Sequence, residues 1–308
     1  SIAGSPILGE PLLAYLSETM ASYEDRLFLH VMLAEEDMHR KYQDKGFPTF
    51  SDPTRALVAL NGMMFFGQSF ANNTLEDTPD LPAPTRLEAN MNEQQTKAVL
   101  ASFGLPVVED KLCLSEADVR DGFARVAAPV AMKILSADIL HKTDIGGVML
   151  NLKAEDEAVL AYQQILDNAA VHAPGAKIDG VMLSPMIGDG VDLILGAQTD
   201  PIFGAMVMVG IGGIHAELLK DVTFMRAPIS PSAAQRMLER LQLYPLLTGV
   251  RGARGCDIAA VAKTISDFSA FIAAHADQLS SFEINPLRAL PDGCVALDAL
   301  AVCKGAGE

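Results

Sequence analysis

The sequence contains no tryptophan and few aromatic residues, which make up 6% of it, and its charged residues amount to only 20%. Basic side chains are the scarcer kind: 23 lysines and arginines face 39 aspartates and glutamates, so that the formal net charge is -16. An acidic surface of this kind repels the phosphates of nucleic acids and anionic membranes. We therefore expect neither as a partner, and any bound anion must be held by a local basic pocket or a metal ion.

Cysteine is also rare, and long apolar runs are absent. The four cysteines lie far apart without a CxxC pair, which is typical of reduced, unpaired thiols in a cytoplasmic protein and does not favour a zinc site. No run reaches the roughly 18 apolar residues of a membrane span, and the N-terminus lacks the pattern of a signal peptide. Because the sequence begins at Ser1 in what resembles mid-domain sequence, we expect a fragment of a longer chain or one piece of a split protein.

The chain is long enough for about two or three domains. Residues 10–70 alternate helical and strand patterns and predict at most half of a parallel α/β domain, in which Leu27–Leu33 is a strand candidate and Asp52 caps a helix. Residues 74–91 contain three prolines among acidic residues and predict a stiff linker. Residues 92–302 are predicted to form a second body.

The second body alternates helical and strand patterns. Apolar spacing and capping residues predict helices at Glu93–Phe103 and Glu155–His172 and helices capped by Ser115, Ser230 and Asp257. Strands are predicted at Val130–Leu135, Val148–Leu152, Ile178–Leu183, Val191–Ala197 and Ala205–Ile211, with a closing hairpin of Phe282–Leu290 and Cys294–Ala301.

One apolar strand carries a lysine, Lys133, and leads into the polar loop His141-Lys142-Thr143-Asp144 and two glycines. An unpaired ammonium is costly to bury, so an anionic ligand at the strand would supply the missing charge. A histidine beside a second lysine suits the handling of phosphate. The alternatives are that Lys133 reaches water from an edge strand and that His141 is an ordinary loop histidine.

A glycine-rich segment, Gly210-Ile211-Gly212-Gly213, follows another apolar strand. Glycines let backbone N–H groups approach a phosphate, but no Walker-type lysine follows, and a bend packed against a neighbouring strand is the favoured interpretation. Asp192 follows a Gly-Asp-Gly turn and either reaches a ribose or is simply exposed.

The C-terminal hairpin is the third candidate. Glu283 and Asn285 lie two residues apart and share one face of their strand. A Pro-Asp turn between Leu290 and Gly293 places Asn285 opposite Asp298, and the three oxygen-bearing side chains suit Mg²⁺. The alternatives are a bulge at Gly293 that moves Asp298 to the other face and a solvent-facing polar stripe on an edge strand.

These segments occur in a characteristic order. They are Lys133-Ile134, Ile139–Val148, Asp200-Pro201-Ile202-Phe203-Gly204, Gly210–Ile214, Leu219–Val222, Arg251-Gly252, Glu283–Leu287 and Asp298. As an ordered set they closely resemble the ATP-grasp domain of the NDP-forming acyl-CoA synthetases, relatives of succinyl-CoA synthetase β-subunits. The resemblance covers residues 92–302. Residues 1–73 resemble the end of the CoA-ligase domain that precedes it in fused members.

The resemblance implies an α/β architecture: an ATP-grasp fold of two α+β subdomains, preceded by a partial flavodoxin-like parallel α/β domain. It implies an ADP-forming ligase that converts acid, CoA and ATP to acyl-CoA, ADP and phosphate through acyl-phosphate and phosphohistidine. ATP and Mg²⁺ are the implied cofactors, and an oligomer or a complex with a CoA-binding chain is the implied assembly.

Roles for single residues follow from the same resemblance. By position, His141 matches a phosphate-accepting histidine and Glu283 matches the carboxylate near it; Lys133, Asp192, Gly210, Gly212 and Gly213 match the ATP site, and Asn285 and Asp298 match the Mg²⁺ ligands. Asp192 stands where the family usually has glutamate, which would weaken a ribose contact.

Two other functions stay open from the sequence. One is a nucleotide-sensing module of a larger protein, such as an acetyltransferase fusion. The other is an ATP-grasp carboxylate–amine ligase that works without phosphohistidine, which the His141–Asp144 loop argues against. The sequence contains no Gly-His-Ala-Gly-Ala-like loop for the first phosphohistidine, so we expect the acid and CoA sites to lie in missing domains or a partner.

Overall fold

The computed structural model describes residues 7, 9–23, 26–71, 78–139, 141–212, 221–250, 252 and 254–305. The chain divides into two compact units, Ser1–Glu76 and Asp77–Glu308. The division falls inside the segment whose composition predicts a linker.

The first unit alternates helices with two short parallel strands. Its elements are α1 (Gly9–Met20), β1 (His30–Val31), α2 (Glu36–Asp44), β2 (Thr49–Phe50) and α3 (Pro53–Ala71). Asp52 caps α3 as predicted, because its Oδ1 accepts a hydrogen bond of 2.8 Å from the N–H of Thr54. The strand predicted over Leu27–Leu33 is reduced to two residues.

The first unit buries a small core and leaves α3 bare. Tyr42 and Met32 are fully buried, and the Tyr42 hydroxyl donates to the carbonyl of Gly9 at 3.1 Å. Among the described side chains of α3, only Ala56 is buried. The large apolar side chains that α3 exposes are Leu57, Val58, Met63, Met64, Phe65, Phe66 and Phe70. A helix that is apolar on all sides normally lies inside a protein.

The second unit begins with a helix, α4 (Glu93–Ser102), and a four-stranded antiparallel sheet. The sheet order is β3-β6-β4-β5, and α5 and α6 pack against it. The elements are β3 (Lys111–Cys113), α5 (Glu116–Arg125), β4 (Val130–Leu135), β5 (Val148–Leu152), α6 (Glu155–His172) and β6 (Gly180–Pro185). Because β4 is an interior strand, the interpretation of Lys133 as an edge-strand residue is wrong.

A six-stranded sheet forms the rest of the second unit. Its path is β11-β10-β7-β8-β9, and β12 also pairs with β10. The elements are β7 (Val191–Asp200), β8 (Gly204–Ile211), β9 (Val222–Arg226), α7 (Pro231–Glu239), α8 (Tyr244–Thr248), α9 (Ile258–Ala274), β10 (Leu279–Ala289), β11 (Cys294–Ala296) and β12 (Ala299–Cys303). Helices α7 and α9 pack on each other and on the sheet, where Phe268 and Phe271 of α9 meet Phe282 of β10.

The hairpin register predicted from the turn is confirmed. Leu287 pairs with Ala296 and Ile284 with Ala299, and the N–H of Asn285 donates to the carbonyl of Asp298 at 3.1 Å. The turn closes through the N–H of Leu290 and the carbonyl of Gly293 without a shift. Because β10 pairs with β7 on its other side, the edge-strand interpretation is wrong. The second strand of the hairpin, predicted as continuous over Cys294–Ala301, is instead divided into β11 and β12.

Among the helices in the described part of the chain, none has both the length and the apolar character that crossing a membrane requires. All four cysteines are free thiols, and Cys113 and Cys294 are buried.

Candidate active site

A cleft of about 730 Å³ brings together three separate parts of the second unit. The start of α4, the loop between β4 and β5, and the β10–β12 arm all contribute to its walls. Its main polar residues are Glu93, His141, Lys142, Glu283, Asn285 and Asp298. Four residues predicted from the sequence as site residues, His141, Glu283, Asn285 and Asp298, therefore line one cavity.

The loop that carries His141 is a compact turn. The N–H of Gly147 donates to the carbonyl of Lys142 at 2.8 Å, and that of Gly146 donates to Thr143 at 3.0 Å. Gly146 has a φ of +66°, and a Cβ on Gly147 would lie 2.7 Å from a methyl carbon of Ile134. The two glycines thus allow the chain to turn tightly from β4 into β5. The turn leaves the His141 side chain exposed in the cleft.

Two lysines at the cleft share the same two carboxylates. Lys133 Nζ lies 3.2 Å from Asp298 Oδ2 and 3.4 Å from Glu93 Oε1. Lys142 Nζ contacts Glu93 Oε2 and lies 3.5 Å from Asp298 Oδ2. The countercharge that the sequence argument assigned to a ligand is therefore supplied, in this structure, by the protein's own carboxylates.

These contacts shift the proton affinities of the buried groups. Burial alone would raise the pKa of Glu93, but the charges of Lys133, Lys142 and Lys97 outweigh it and lower the pKa to about 2. Burial alone would lower the pKa of Lys133, whereas Glu93 and Asp298 raise it above its ordinary value. Both groups are therefore charged at neutral pH.

Behind the cleft lies a set of charges that sequence reasoning missed. Lys97 Nζ donates to Glu93 Oε1 at 2.9 Å and contacts Asp110, and Asp110 Oδ1 accepts a hydrogen bond of 2.5 Å from Ser184 Oγ. Glu93 and Lys97 stand four residues apart on α4, which was the available sign that they pair on one helix face. The capping box of Asn92 and Gln95 fixes where α4 begins and so where Glu93 stands.

The hairpin side chains supply oxygen atoms for a cation. Asn285 Nδ2 donates to Glu283 Oε1 at 2.9 Å, which leaves the amide oxygen of Asn285 for a further partner. Opposite β7, the residues Asn285 and Pro286 form a bulge, because Ile284 pairs with Leu195 and Leu287 with Leu193. Proline has no N–H to donate, and bulges re-aim the side chains beside them.

This donor set fits Mg²⁺ chemically. Carboxylate and amide oxygens are its preferred protein ligands, and one or two carboxylates with nucleotide phosphates form its usual shell. Within the described ranges, no group of three or more histidine, cysteine, aspartate or glutamate side chains is arranged around a metal position. An all-protein metal cage is therefore not what these residues form; a cation held jointly with phosphate is the better match.

The other predicted ATP-site residues lie elsewhere. Both carboxylate oxygens of Asp192 pair with Arg288, at 2.8 and 2.9 Å. A Cβ on Gly210 would lie 2.8 Å from a methyl carbon of Val222, and the N–H of Gly212 donates to the carbonyl of Asp192. In this structure Gly210 and Gly212 serve close strand packing, as the favoured interpretation held. Gly213 lies outside the described residues.

Arg288 ties the segment between the two sheets to β10. Its Nη1 donates to the carbonyl of Ile187 at 3.0 Å, while its other nitrogens hold Asp192. We expect a double-mutant cycle of Arg288→Ala and Asp192→Ala to give a coupling free energy of about 1–2 kcal/mol, because the pair is bidentate and half-buried. Chemical denaturation of the four proteins measures it. Additive effects of the two substitutions would show that solvent screens the pair.

An apolar groove of about 420 Å³ adjoins the cleft on the outer face of the six-stranded sheet. Met206, Met208 and Phe224 line it, and it shares Glu283 and Leu300 with the cleft. Glu283 therefore stands at the boundary between a polar and an apolar surface.

The comparison with known proteins can now be set beside this geometry. Residues 83–302 match the ATP-grasp domain family, which is well over half of the chain. The chain belongs to the ATP-grasp family. The mixed α/β fold predicted from the sequence is confirmed, and an ATP-grasp domain binds ATP.

Its relatives include ligase subunits. The chain is 37% identical to the β-subunit of acetate–CoA ligase (ADP-forming) II of Pyrococcus furiosus over 217 residues, which are 70% of this chain and 92% of that protein. It is 30% identical over 274 residues to acetate–CoA ligase (ADP-forming) I of Archaeoglobus fulgidus, which are 85% of this chain and 40% of that protein. Within the ATP-grasp family, the chain thus belongs with the β-subunits of ADP-forming acetate–CoA ligases.

A solved structure shows the same fold. The chain matches an acetyl-coenzyme A synthetase 1 from Ca. Korarchaeum cryptofilum, solved with coenzyme A and Ca-AMPCP, at a TM-score of 0.67 and 34% identity. The match covers 70% of this chain and 93% of that chain.

Proposed function

We propose that this chain is the ATP-binding, phosphoryl-transfer part of an ADP-forming acid–CoA ligase. The complete reaction converts acid, CoA and ATP to acyl-CoA, ADP and phosphate through acyl-phosphate and phosphohistidine. The observation that carries the proposal is the meeting of His141 and Lys142 with Glu283, Asn285 and Asp298 in one cleft. Phosphoryl transfer requires positioning and charge neutralisation above all, and these residues supply both.

Each residue has a role that its position supports. Lys133 and Lys142 offset the charge of the transferring phosphoryl group. A neutral nitrogen of His141 attacks the γ-phosphorus, a P–N bond forms, and ADP leaves with the electrons of the broken P–O bond. Glu283, on the same cleft wall as Asn285, orients the imidazole. Asn285 and Asp298 would hold Mg²⁺, which supplies further charge neutralisation to the phosphates.

Gly210, Gly212, Gly213 and Asp192 are the weaker part of the proposed ATP site. Asp192 is engaged by Arg288 in this structure, so a ribose contact requires that the ribose hydroxyls compete with or join this ion pair. Gly210 and Gly212 act by allowing close strand packing.

The acid and CoA are bound mainly outside the ATP-grasp region, in our proposal by a CoA-binding domain or chain. The match to the longer Archaeoglobus protein exceeds residues 83–302 and so includes part of the first unit. That unit contains a two-stranded parallel sheet and the bare helix α3, and parallel sheets are normally covered on both faces. We infer that residues 1–73, which make up most of the first unit, are the C-terminal part of a CoA-ligase-like domain and that the apolar surface of this part is buried in the assembled enzyme.

The alternatives have less support. The relatives are ligases and a synthetase by name, which favours catalysis over a nucleotide-sensing module. An exposed histidine in the cleft favours a phosphohistidine route over a carboxylate–amine ligase that would not use it.

The test is protein labelling with γ-³²P-ATP and Mg²⁺. We expect acid-labile, alkali-stable label on the native chain and at least about a hundredfold less on His141→Ala, because the acceptor nitrogen is lost. His172→Ala is the matched control, since His172 is exposed at the end of α6 outside the cleft and should label normally. Equal labelling of the native and His141→Ala chains would move the acceptor to another residue. Label that appears only on an added carboxylic acid would favour the carboxylate–amine ligase.

A further inference from the structure

The side chain of Glu93 has an unusual position for a carboxylate. It is only 2% exposed, and three lysines contact it: Lys97, Lys133 and Lys142. Lys97 and Lys133 reach Oε1, while Lys142 reaches Oε2. A single buried carboxylate therefore fixes the distance between Lys142, which lines the cleft, and Lys133, which contacts the cleft residue Asp298. None of the roles assigned above uses Glu93.

Further contacts of Lys97 and Lys133 hold Glu93 in place. Lys97 is almost fully buried, contacts Asp110, and donates to the carbonyl of Leu297 at 3.3 Å. Lys133 donates to the same carbonyl at 3.1 Å. Since the ends of this network are anchored on α4, on the segment before β3 and on the hairpin, Glu93 cannot leave the lysines without breaking several charged hydrogen bonds.

Asp298 contacts the same two lysines but differs in access. Both carboxylates line the cleft, but the side chain of Asp298 is 28% exposed, whereas that of Glu93 is only 2% exposed. A cation that enters the cleft can reach Asp298 directly. Lys133 and Lys142 then keep their contact with Glu93 and lose their contact with Asp298.

The charges of the network favour such an exchange. In the structure, three lysines face three carboxylates, Glu93, Asp110 and Asp298, so the network is balanced. When a cation takes Asp298, one positive charge is left over beside the cleft. A phosphate oxygen is the group that neutralises it.

We propose that Glu93 is a positioning residue that permanently holds Lys133 and Lys142 together, while Asp298 is the exchangeable partner that they release when a metal–nucleotide complex binds. This inference rests on the proposed function, because it places nucleotide phosphates in this cleft. Free nucleotide can neutralise the lysines but does not occupy Asp298, whereas free metal can occupy Asp298 but leaves the lysines without that counter-charge. The two ligands must therefore bind cooperatively, and Glu93 sets how readily the lysines give up Asp298.

Substitution of Glu93 separates this role from a merely structural one. In Glu93→Gln, Asp298 is the only carboxylate left to the two lysines, so Mg²⁺ has to compete with a stronger ion pair. We expect the Mg²⁺ concentration that half-saturates ATP binding to rise roughly tenfold. Binding of metal-free ATP is expected to stay equal or to tighten, because the cleft has gained a net positive charge. A structural defect would weaken both.

The measurement is calorimetric titration of the full chain with ATP at a series of Mg²⁺ concentrations. Glu116→Gln is the control, since Glu116 is the first residue of α5, is exposed and lies outside the cleft. If Glu93→Gln does not fold, Glu93→Asp, which keeps the charge but shortens its reach, must show the same rise relative to Glu116→Asp. The same half-saturating Mg²⁺ concentration in Glu93 and Glu116 variants would overturn the inference. Absence of ATP binding to the native chain would instead overturn the proposed function.

Discussion

Replacing Lys133 by methionine is expected to slow ATP-dependent phosphoryl transfer by about 10²–10³-fold, the loss typical of removing one preorganised group that stabilises transition-state charge. The Lys133 side chain is largely buried on the interior strand β4, and Asp298 and Glu93 hold it in place. Methionine keeps the length and the apolar part of the side chain while removing the charge. The single-turnover rate of labelling from γ-³²P-ATP measures the effect.

Lys111→Met is the matched control for this substitution. Lys111 lies on β3 of the same sheet, but its side chain is 41% exposed and its nearest carboxylate is Asp121, at 3.7 Å. We expect the control to transfer phosphate at the native rate. Because Lys142 and Lys97 still neutralise Glu93 in Lys133→Met, the variant should keep its fold. An unchanged rate in a folded Lys133→Met chain would show that Lys133 only balances Asp298 and Glu93.

The parts of the site that could be predicted from the sequence are those in which local chemistry decides the geometry. The Pro-Asp turn fixes the pairing of its flanking strands, and the period of two along a strand puts Glu283 and Asn285 on one face. The strand Val130–Leu135 and the helix Glu155–His172 have the predicted bounds, because each is a periodic segment between clear start and stop residues.

The parts that could not be predicted depend on contacts between distant segments. Glu93 meets Lys142 only because α4 lies beside the loop after β4, and no local pattern encodes that approach. The pairing of Arg288 with Asp192 likewise joins strands that are nearly a hundred residues apart. The sequence indicated that Lys133 needs a countercharge. It did not distinguish a bound ligand from a distant carboxylate, because either one supplies that charge.

The first unit shows a related limit. Apolar residues at helical spacing predicted a helix after Asp52, and the helix is present. The spacing did not show that this helix is apolar around its whole circumference, or that most of its large apolar side chains are exposed in the first unit. A pattern read for one face does not reveal how many neighbours a helix requires.

Replacing Phe282 by alanine is expected to lower the free energy of unfolding of the second unit by about 3–5 kcal/mol. Phe282 is 1% exposed, and its ring lies 5.5 Å from that of Phe271 and 5.7 Å from that of Phe268. Its removal leaves a cavity between α9 and β10, and β10 is also the strand that carries Glu283 and Asn285. We therefore expect weaker Mg²⁺–ATP binding in addition to the loss of stability.

Denaturation followed by circular dichroism measures this effect, since the chain has no tryptophan to report by fluorescence. The transition of the second unit is the one that Mg²⁺–ATP shifts to higher denaturant, because a ligand stabilises only the unit that binds it. Phe224→Ala is the control: Phe224 is 60% exposed on β9, so its loss should change the free energy of unfolding by about 0.5 kcal/mol or less. Similar midpoints for the two variants would mean that the packing of α9 on β10 does not support the cleft. A large shift for Phe282→Ala alone would tie the geometry of Glu283 and Asn285 to the aromatic core beneath them.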